Sequence, residues 1–356
     1  NILTRDYQKI SGRNIVKIRV HIDSIVPMLA ECRKARNQGF FNEEVLRSIL
    51  EHPDYVFERR RYGERAPLDA FIQFLQSLAA GKPDHQGIGD IEVRVQTWQD
   101  FWHNMEPQAA AIHQFIEELT PEYLDDCVKI ALNGLPENHD YEDVDFILTL
   151  GYGGSIGYVF EGSFAYDAIS AVHGTQSARG VIAHESHHLA LEQLPFTFDG
   201  SPPLHGLLMV FAGEGLACKY CNNTDGVLTH RLDPNHPVDM SSDWCVFHEH
   251  FSEDFGVFKE QFVQVKAGAY KTPSEVFQAL APSWRYCSSP EWWAEKHERL
   301  DYQPSYYMGC QLFGVIHDAF GKEKVYEALF HPEHFASIFN IACAAMKVDE
   351  GYRLPE

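Results

Sequence analysis

The sequence carries little positive charge: its 356 residues include 29 Lys and Arg against 51 Asp and Glu, which gives a formal net charge of −22. A field of this sign repels phosphate backbones and anionic lipid headgroups. Nucleic acids and membrane surfaces are therefore not expected as partners. The apolar fraction of 45% and the charged fraction of 22% are typical of a globular protein, so a folded chain is expected.

Long hydrophobic runs are also missing. No segment approaches the roughly 20 consecutive apolar residues that span a bilayer. The first 20 residues are polar and basic and have no apolar core of the kind found in signal peptides. We therefore expect a cytoplasmic protein. Since the sequence does not begin with Met, earlier removal of a signal peptide stays open as an alternative.

The eight cysteines show no pattern of a disulfide scaffold, and most are far apart in the sequence. They are interpreted as reduced residues of a cytosolic protein. One close pair, Cys218 and Cys221, forms a C-x-x-C sequence, which can be a redox dithiol or half of a zinc clamp. A second C-x-x-C is missing and the pair lies within a predicted helix, so two small helical residues are the favoured interpretation.

Hydrophobic periodicity predicts an α+β protein that is predominantly helical, with a small sheet in the middle of the chain. A helix is expected to begin after Asn42, which is followed by two glutamates as at a capped N-terminus. The other helices are expected at 22–35, 67–80, 98–119, 121–132, 204–220, 244–263, 273–280, 306–320, 322–330 and 334–346. Runs rich in β-branched and aromatic residues predict one strand within 144–152 and one within 158–166. Together these two strands are expected to form a small sheet, with a hairpin of the two as one possible arrangement. The chain is expected to form one unit, with a helical N-terminal region over 1–140 and a core over 141–356.

One short segment carries recognisable chemistry: His184, Glu185 and His188 form an H-E-x-x-H sequence inside an apolar run. On a helix, residues four apart project from the same face, so the two imidazoles can hold one zinc ion. Glu185 then lies beside the metal, where its carboxylate can accept a proton from water. His187 projects from another side of the helix and is expected to be a packing residue or a hydrogen-bond partner of a metal ligand. This pattern predicts a Zn²⁺ site of a hydrolase.

A catalytic zinc commonly has three protein ligands and one open position. Glu214 is the candidate third ligand, because it lies on the next predicted helix among small residues that allow two helices to approach closely. His184, His188 and Glu214 then form a His₂Glu site. A neighbouring H-x-H sequence, at His248 and His250, falls in a helical pattern where i and i+2 diverge, so we expect it at the surface.

H-E-x-x-H followed by E-G-x-A on a second helix resembles the gluzincin metallopeptidases, and this resemblance implies a thermolysin-like catalytic core with Glu185 as general base. The segment 305–309, Ser-Tyr-Tyr-Met-Gly, resembles the Y-x-x-G helix of aminopeptidase-type gluzincins, in which the Tyr hydrogen-bonds the developing oxyanion. That comparison implies the role for Tyr306, with Tyr307 next in line. The layout over roughly 144–340 is also similar to a family of uncharacterised zinc-dependent peptidases.

Two departures from the gluzincin pattern are visible. The G-x-M-E-N segment, whose Glu binds the substrate amine in aminopeptidases, is missing, and Glu161 on an expected edge strand is the candidate for that role. Thermolysin-like enzymes have an Asp four residues after the ligand Glu, where this chain has Cys218. The resemblance implies hydrolysis of a peptide or protein substrate. Two alternatives stay open: a zinc-binding scaffold of peptidase fold without activity, and a zinc hydrolase of non-peptide amides or esters.

Overall fold

Helices and one small sheet make up the protein in the computed structural model, which describes residues 3–4, 18–82, 93–137, 143–240, 244–286 and 304–356. This composition confirms the predicted α+β class. Contacts between Cα atoms divide the chain into two units, one of residues 1–128 and 140–189 and one of 129–139 and 190–356. These units do not coincide with the predicted regions 1–140 and 141–356. That division stays a prediction.

The sheet belongs to the first unit and has the strand order β1-β2-β3-β5-β4. Its central pairs, β2 with β3 and β3 with β5, are parallel, and both outer pairs are antiparallel. Within the described residues, β4 therefore has a neighbour on one side only. The strands are β1 (Leu3–Thr4), β2 (Ile18–His21), β3 (Val144–Thr149), β4 (Gly157–Phe160) and β5 (Ser163–Asp167).

The run predicted as one strand over 158–166 is a tight hairpin of β4 and β5. Glu161 and Gly162 at its turn have positive φ angles of 48° and 70°, which interrupt the extended backbone. β3 pairs in parallel with β5 and not with β4, which follows it in the sequence. The connection from β3 to β4 is therefore longer than a hairpin turn. The small sheet is thus confirmed. A hairpin between the two predicted runs is wrong, because the strands of these runs pair in parallel and the hairpin lies within the second run. The strand β2 was not predicted.

In the described part of the chain, seven helices precede β3, and most lie where periodicity predicts them. Asn42 accepts a hydrogen bond from the amide of Val45 at 3.2 Å, as expected of a helix cap. The helix predicted over 98–119 is two helices that meet at Asn104, and the helix at residues 53–62 was not predicted. The seven are α1 (Ile25–Gln38), α2 (Glu43–Leu50), α3 (Pro53–Tyr62), α4 (Leu68–Ala79), α5 (Val95–His103), α6 (Met105–Glu118) and α7 (Pro121–Asn133).

An aromatic cluster fills the core of the first unit. Trp98 is fully buried, contacts the rings of Phe71, Phe74 and Phe101, and donates a hydrogen bond from Nε1 to the Gly151 carbonyl at 2.7 Å. This bond satisfies the polar atom of a side chain that otherwise contributes apolar area. The cluster thus connects α4 and α5 to the segment that follows β3.

Among the described residues, seven further helices follow β5, and most lie close to the predicted ranges. Most of their bounds differ from the prediction by only a few residues at the ends, whereas α11 extends six residues beyond its predicted end. Helix α8 contains the H-E-x-x-H sequence. They are α8 (Thr175–Glu192), α9 (Pro203–Cys221), α10 (Cys245–Lys266), α11 (Pro273–Tyr286), α12 (Pro304–Phe320), α13 (Lys322–Phe330) and α14 (Phe335–Ala345). Among the described residues, no helix is long and apolar enough to cross a membrane.

Helices α9 and α12 of the second unit cross with their backbones in contact. A Cβ atom added to Gly215 would lie 2.3 Å from the Cα atom of Gly309, so neither position has room for a side chain. A buried ion pair lies further along the same two helices, where Lys219 donates hydrogen bonds to Asp318 at 2.7 Å and to the Thr229 hydroxyl at 2.6 Å. These partners satisfy an ammonium group whose side chain is fully buried.

Candidate metal centre

Two histidines project from one face of α8. The ring centroids of His184 and His188 are 4.7 Å apart, because residues four apart lie one above the other on a helix. His184 is buried and His188 is half-buried. The helix therefore presents two imidazoles to the same small volume, as the sequence predicts.

Glu214 brings a carboxylate to these imidazoles. One ligand atom from each of His184, His188 and Glu214 lies within 4.8 Å of the other two, and among the described residues these three form the one such group. Tetrahedral zinc with nitrogen and oxygen ligands at about 2.0–2.1 Å places its ligand atoms about 3.3 Å apart. Two imidazoles and one carboxylate are also a ligand set of catalytic zinc, so this group fits the ion.

Glu185 lies beside the first residue of the edge strand β4. A Cβ atom added to Gly157 would be 3.0 Å from the Glu185 Oε1 atom and 2.6 Å from Cγ1 of Val181, so this face of β4 lies directly against α8. Only glycine fits at position 157 without a shift of these neighbours. The backbone of an edge strand thus begins next to the candidate general base, and nothing in the sequence marks Gly157 for this place.

The opposite face of β4 packs on α3. Tyr158 stacks on Phe57 with ring centroids 6.1 Å apart and meets the ring of Tyr62 edge-on at 5.8 Å, and Phe160 also contacts Phe57 at 5.5 Å. Residues 157 and 158 therefore point to opposite sides, as the two-residue period of a strand requires. Hydrophobic periodicity does not predict α3, so this contact was not expected.

A buried carboxylate lies in the same layer. The hydroxyl of Thr149 donates a hydrogen bond of 2.6 Å to Glu58 on α3, which connects the helix to the end of β3. Burial raises the pKa of Glu58 to about 7, and the nearby charge of Arg61 acts in the opposite direction. Glu58 is consequently only partly ionised near neutral pH.

The two candidate tyrosines on α12 differ in environment. Tyr307 is almost fully buried, and its ring contacts those of Trp244, Phe247, His248 and Phe251 at centroid distances of 5.3–5.8 Å. Burial also raises the pKa of its hydroxyl. Tyr306 is half-buried. The packing thus makes Tyr307 part of an aromatic cluster, and the roles implied for both residues stay predictions.

Glu161 was expected on the edge strand, and that placement is wrong. The residue lies in the turn after β4 with a left-handed backbone, and its carboxylate forms an ion pair of 2.9 Å with Arg60 on α3. Residues other than glycine adopt a positive φ rarely, and this conformation at Glu161 marks the turn between β4 and β5. The role in binding a substrate amine stays a prediction.

The remaining histidine and cysteine predictions concern packing. His187 is fully buried, as expected of a packing residue, and His248 lies exposed on α10. Cys218 and Cys221 are buried on α9 and form no disulfide, which confirms their interpretation as helical core residues. Burial raises the pKa of the Cys218 thiol well above its usual range. This low reactivity is the opposite of what a redox dithiol requires.

Fold and site together define a mainly helical α+β protein with a buried His-His-Glu group that can bind a metal ion. Residues 91–348 match the sequence profile of a protein family, DUF5700, described as "Putative zinc dependent peptidase (DUF5700)". The chain belongs to this family. No curated protein and no solved structure matches it. The family description agrees with the zinc site and the peptidase class expected from the sequence.

Proposed function

We propose that this protein is a zinc-dependent metallopeptidase of the gluzincin type, with a thermolysin-like catalytic core. One observation carries the proposal: ligand atoms of His184, His188 and Glu214 lie within 4.8 Å of one another. A further glutamate, Glu185, lies on the same helix as the two histidines. A purely structural zinc is usually closed by four protein ligands, often cysteines. Three ligands and an adjacent carboxylate favour catalysis.

Each residue of the site has a separate role in the proposed hydrolysis. When bound, zinc supplies Lewis acidity, which polarises a carbonyl oxygen and makes water a stronger acid. His184, His188 and Glu214 hold the ion in place. Glu185 accepts the proton of the attacking water and passes it to the leaving amine. Tyr306 donates a hydrogen bond to the oxygen on which negative charge develops.

The edge strand β4 is the proposed binding surface for the substrate backbone. Its outer side has no neighbour among the described residues, so an extended peptide can add to the sheet and satisfy its amide groups. Gly157 carries no side chain, which leaves room for Glu185 beside the strand. A peptide held here has its backbone next to the proposed base.

Cleavage of peptides in the presence of zinc tests the proposed function. The purified protein is expected to cleave members of a random peptide library, to lose this activity with its metal under a chelator, and to regain it when zinc is restored. Mass spectrometry of the products identifies the cleaved bonds. Zinc binding without cleavage of any peptide would contradict the proposal, and ester and non-peptide amide substrates would then distinguish a different hydrolase from an inactive scaffold.

The tyrosine pair gives a second expected result. Replacement of Tyr306 by Phe is expected to lower kcat by about 100-fold, in the range known for loss of one oxyanion donor, with little change in KM. Replacement of Tyr307 by Phe removes a hydroxyl from the aromatic cluster and is expected to change kcat little. Steady-state kinetics of both variants on one peptide decides between them, and an opposite order would assign the donor to Tyr307.

A further inference from the structure

We propose that Arg61 makes this protein selective for peptides that carry an acidic side chain on the α3 side of the edge strand. The inference rests on the proposed peptidase function and names the class of substrate. It concerns a residue outside the stretch 91–348 matched by the family profile. The N-terminal helix α3 would then take part in substrate recognition.

The two faces of β4 carry different chemistry. Gly157 lies against Val181 and Glu185 of α8, whereas Tyr158 lies against Phe57 and Tyr62 of α3. An extended peptide that adds to β4 continues this alternation, since successive side chains of a strand point to opposite faces. A side chain on the Glu185 face is thus followed by one on the α3 face.

Arg61 is the cation at this second face. Its guanidinium carbon lies 5.1 Å from the ring centroid of Tyr158 and 5.5 Å from that of Tyr62, within the range of cation–π attraction. The residue is half-buried. The two rings hold a planar, permanently charged group beside the edge strand, and such a group binds carboxylates through paired hydrogen bonds.

The charges around Arg61 leave a positive site. Its neighbour Arg60 is paired with Glu161 at 2.9 Å, and Arg65 lies over Tyr62 at 5.3 Å, so two further cations are close by on the same segment. The acidic group that faces Arg61 is Glu58, whose pKa of about 7 leaves it partly neutral near neutral pH. In a chain with a net charge of −22, this local excess of arginine is complementary to a carboxylate ligand.

The test uses matched peptides based on a sequence that the wild-type protein cleaves. Each peptide carries a single Glu, at one of the positions flanking the cleaved bond, and its partner carries Gln there. All peptides are amidated, so that the terminal carboxylate cannot supply the charge. For the wild-type protein, kcat/KM is expected to be about tenfold higher for the Glu peptide than for the Gln peptide at one flanking position. This factor corresponds to a charge-assisted hydrogen bond of about 1.4 kcal/mol.

The variant Arg61→Gln is expected to bring this ratio close to one, and Arg61→Lys to retain part of it. Arg33→Gln is the matched control, since Arg33 is half-buried like Arg61, lies on α1 and pairs with Glu106 at 3.2 Å. It should keep the wild-type ratio. Binding of the same peptide pairs to the zinc-loaded Glu185→Gln protein, followed by fluorescence anisotropy, gives a readout that does not depend on turnover.

Two results would overturn the inference: a wild-type ratio near one at every flanking position, or an Arg61→Gln variant that keeps the acidic preference. If Arg61→Gln does not fold, as judged by circular dichroism, the Arg61→Lys variant and the wild-type ratio still decide. Failure of the wild-type protein to cleave any peptide is a separate result, which contradicts the proposed function itself.

Discussion

Replacement of Glu185 by Gln is expected to lower kcat by about 1,000-fold while the protein keeps its zinc. Gln has nearly the same size as Glu but cannot accept a proton, and a positioned general base contributes about 10²- to 10⁴-fold to the rate. The side chain is 8% exposed and lies against Gly157, so a substitution of equal volume preserves the local packing. Peptide-cleavage rates and zinc content, measured on the same preparation, check this result.

Glu192→Gln is the matched control for that experiment. Glu192 lies exposed near the end of the same helix α8, so its replacement removes the same charge from the same element. It is expected to cleave peptides at the wild-type rate. Equal rates for Glu185→Gln and the wild-type protein would show that Glu185 is not the base, even if the protein is a peptidase.

Replacement of His188 by Ala is expected to remove nearly all bound zinc. The change deletes one of three side chains that converge within 4.8 Å, and even residues that only orient a metal ligand commonly contribute 10- to 100-fold to affinity. The loss from a direct ligand should therefore exceed that range. Zinc content after dialysis against a metal-free buffer measures it, with thermal unfolding as a check that the protein is folded.

His331→Ala controls for the loss of an imidazole. His331 is exposed after α13 and forms a 3.6 Å contact with Glu333. This variant should keep its zinc. A His188→Ala protein with full zinc content would show that the ion binds elsewhere. If His188→Ala loses zinc, Glu214→Gln should show the same loss, because Glu214 is the third member of the group.

The sequence predicts the helices that carry His184, His188 and Glu214, because the formation of a helix depends on local rules. The spacing of His184 and His188 is set by the helix period, and Glu214 lies on a helix whose periodicity is equally clear. The break at Asn104 was not predicted, because the hydrophobic period continues on both sides. Pro107, in the first turn of α6, is the signal that could have shown it, since a proline fits the start of a helix and not its interior. Local rules predict that a helix exists more reliably than where it ends.

The surroundings of the site depend on contacts between distant residues, which one sequence does not reveal. Gly157 and Glu185 are 28 residues apart, and Tyr158 meets Phe57 across about 100 residues. The order of the strands, with β4 at an edge beside β5, decides both contacts. Tyr306 and Tyr307 illustrate the same limit, because only packing against α10 distinguishes two adjacent tyrosines.

The crossing of α9 and α12 has a mechanical consequence. Where Gly215 meets Gly309, two main chains touch and no side chain can change rotamer to absorb a displacement. Sliding or tilting of one helix on the other would collide atoms that have no freedom to move aside. Helix α9, which bears Glu214, and α12, which bears Tyr306, are thus expected to move as a single body. Any opening and closing that accompanies turnover must come from other parts of the chain.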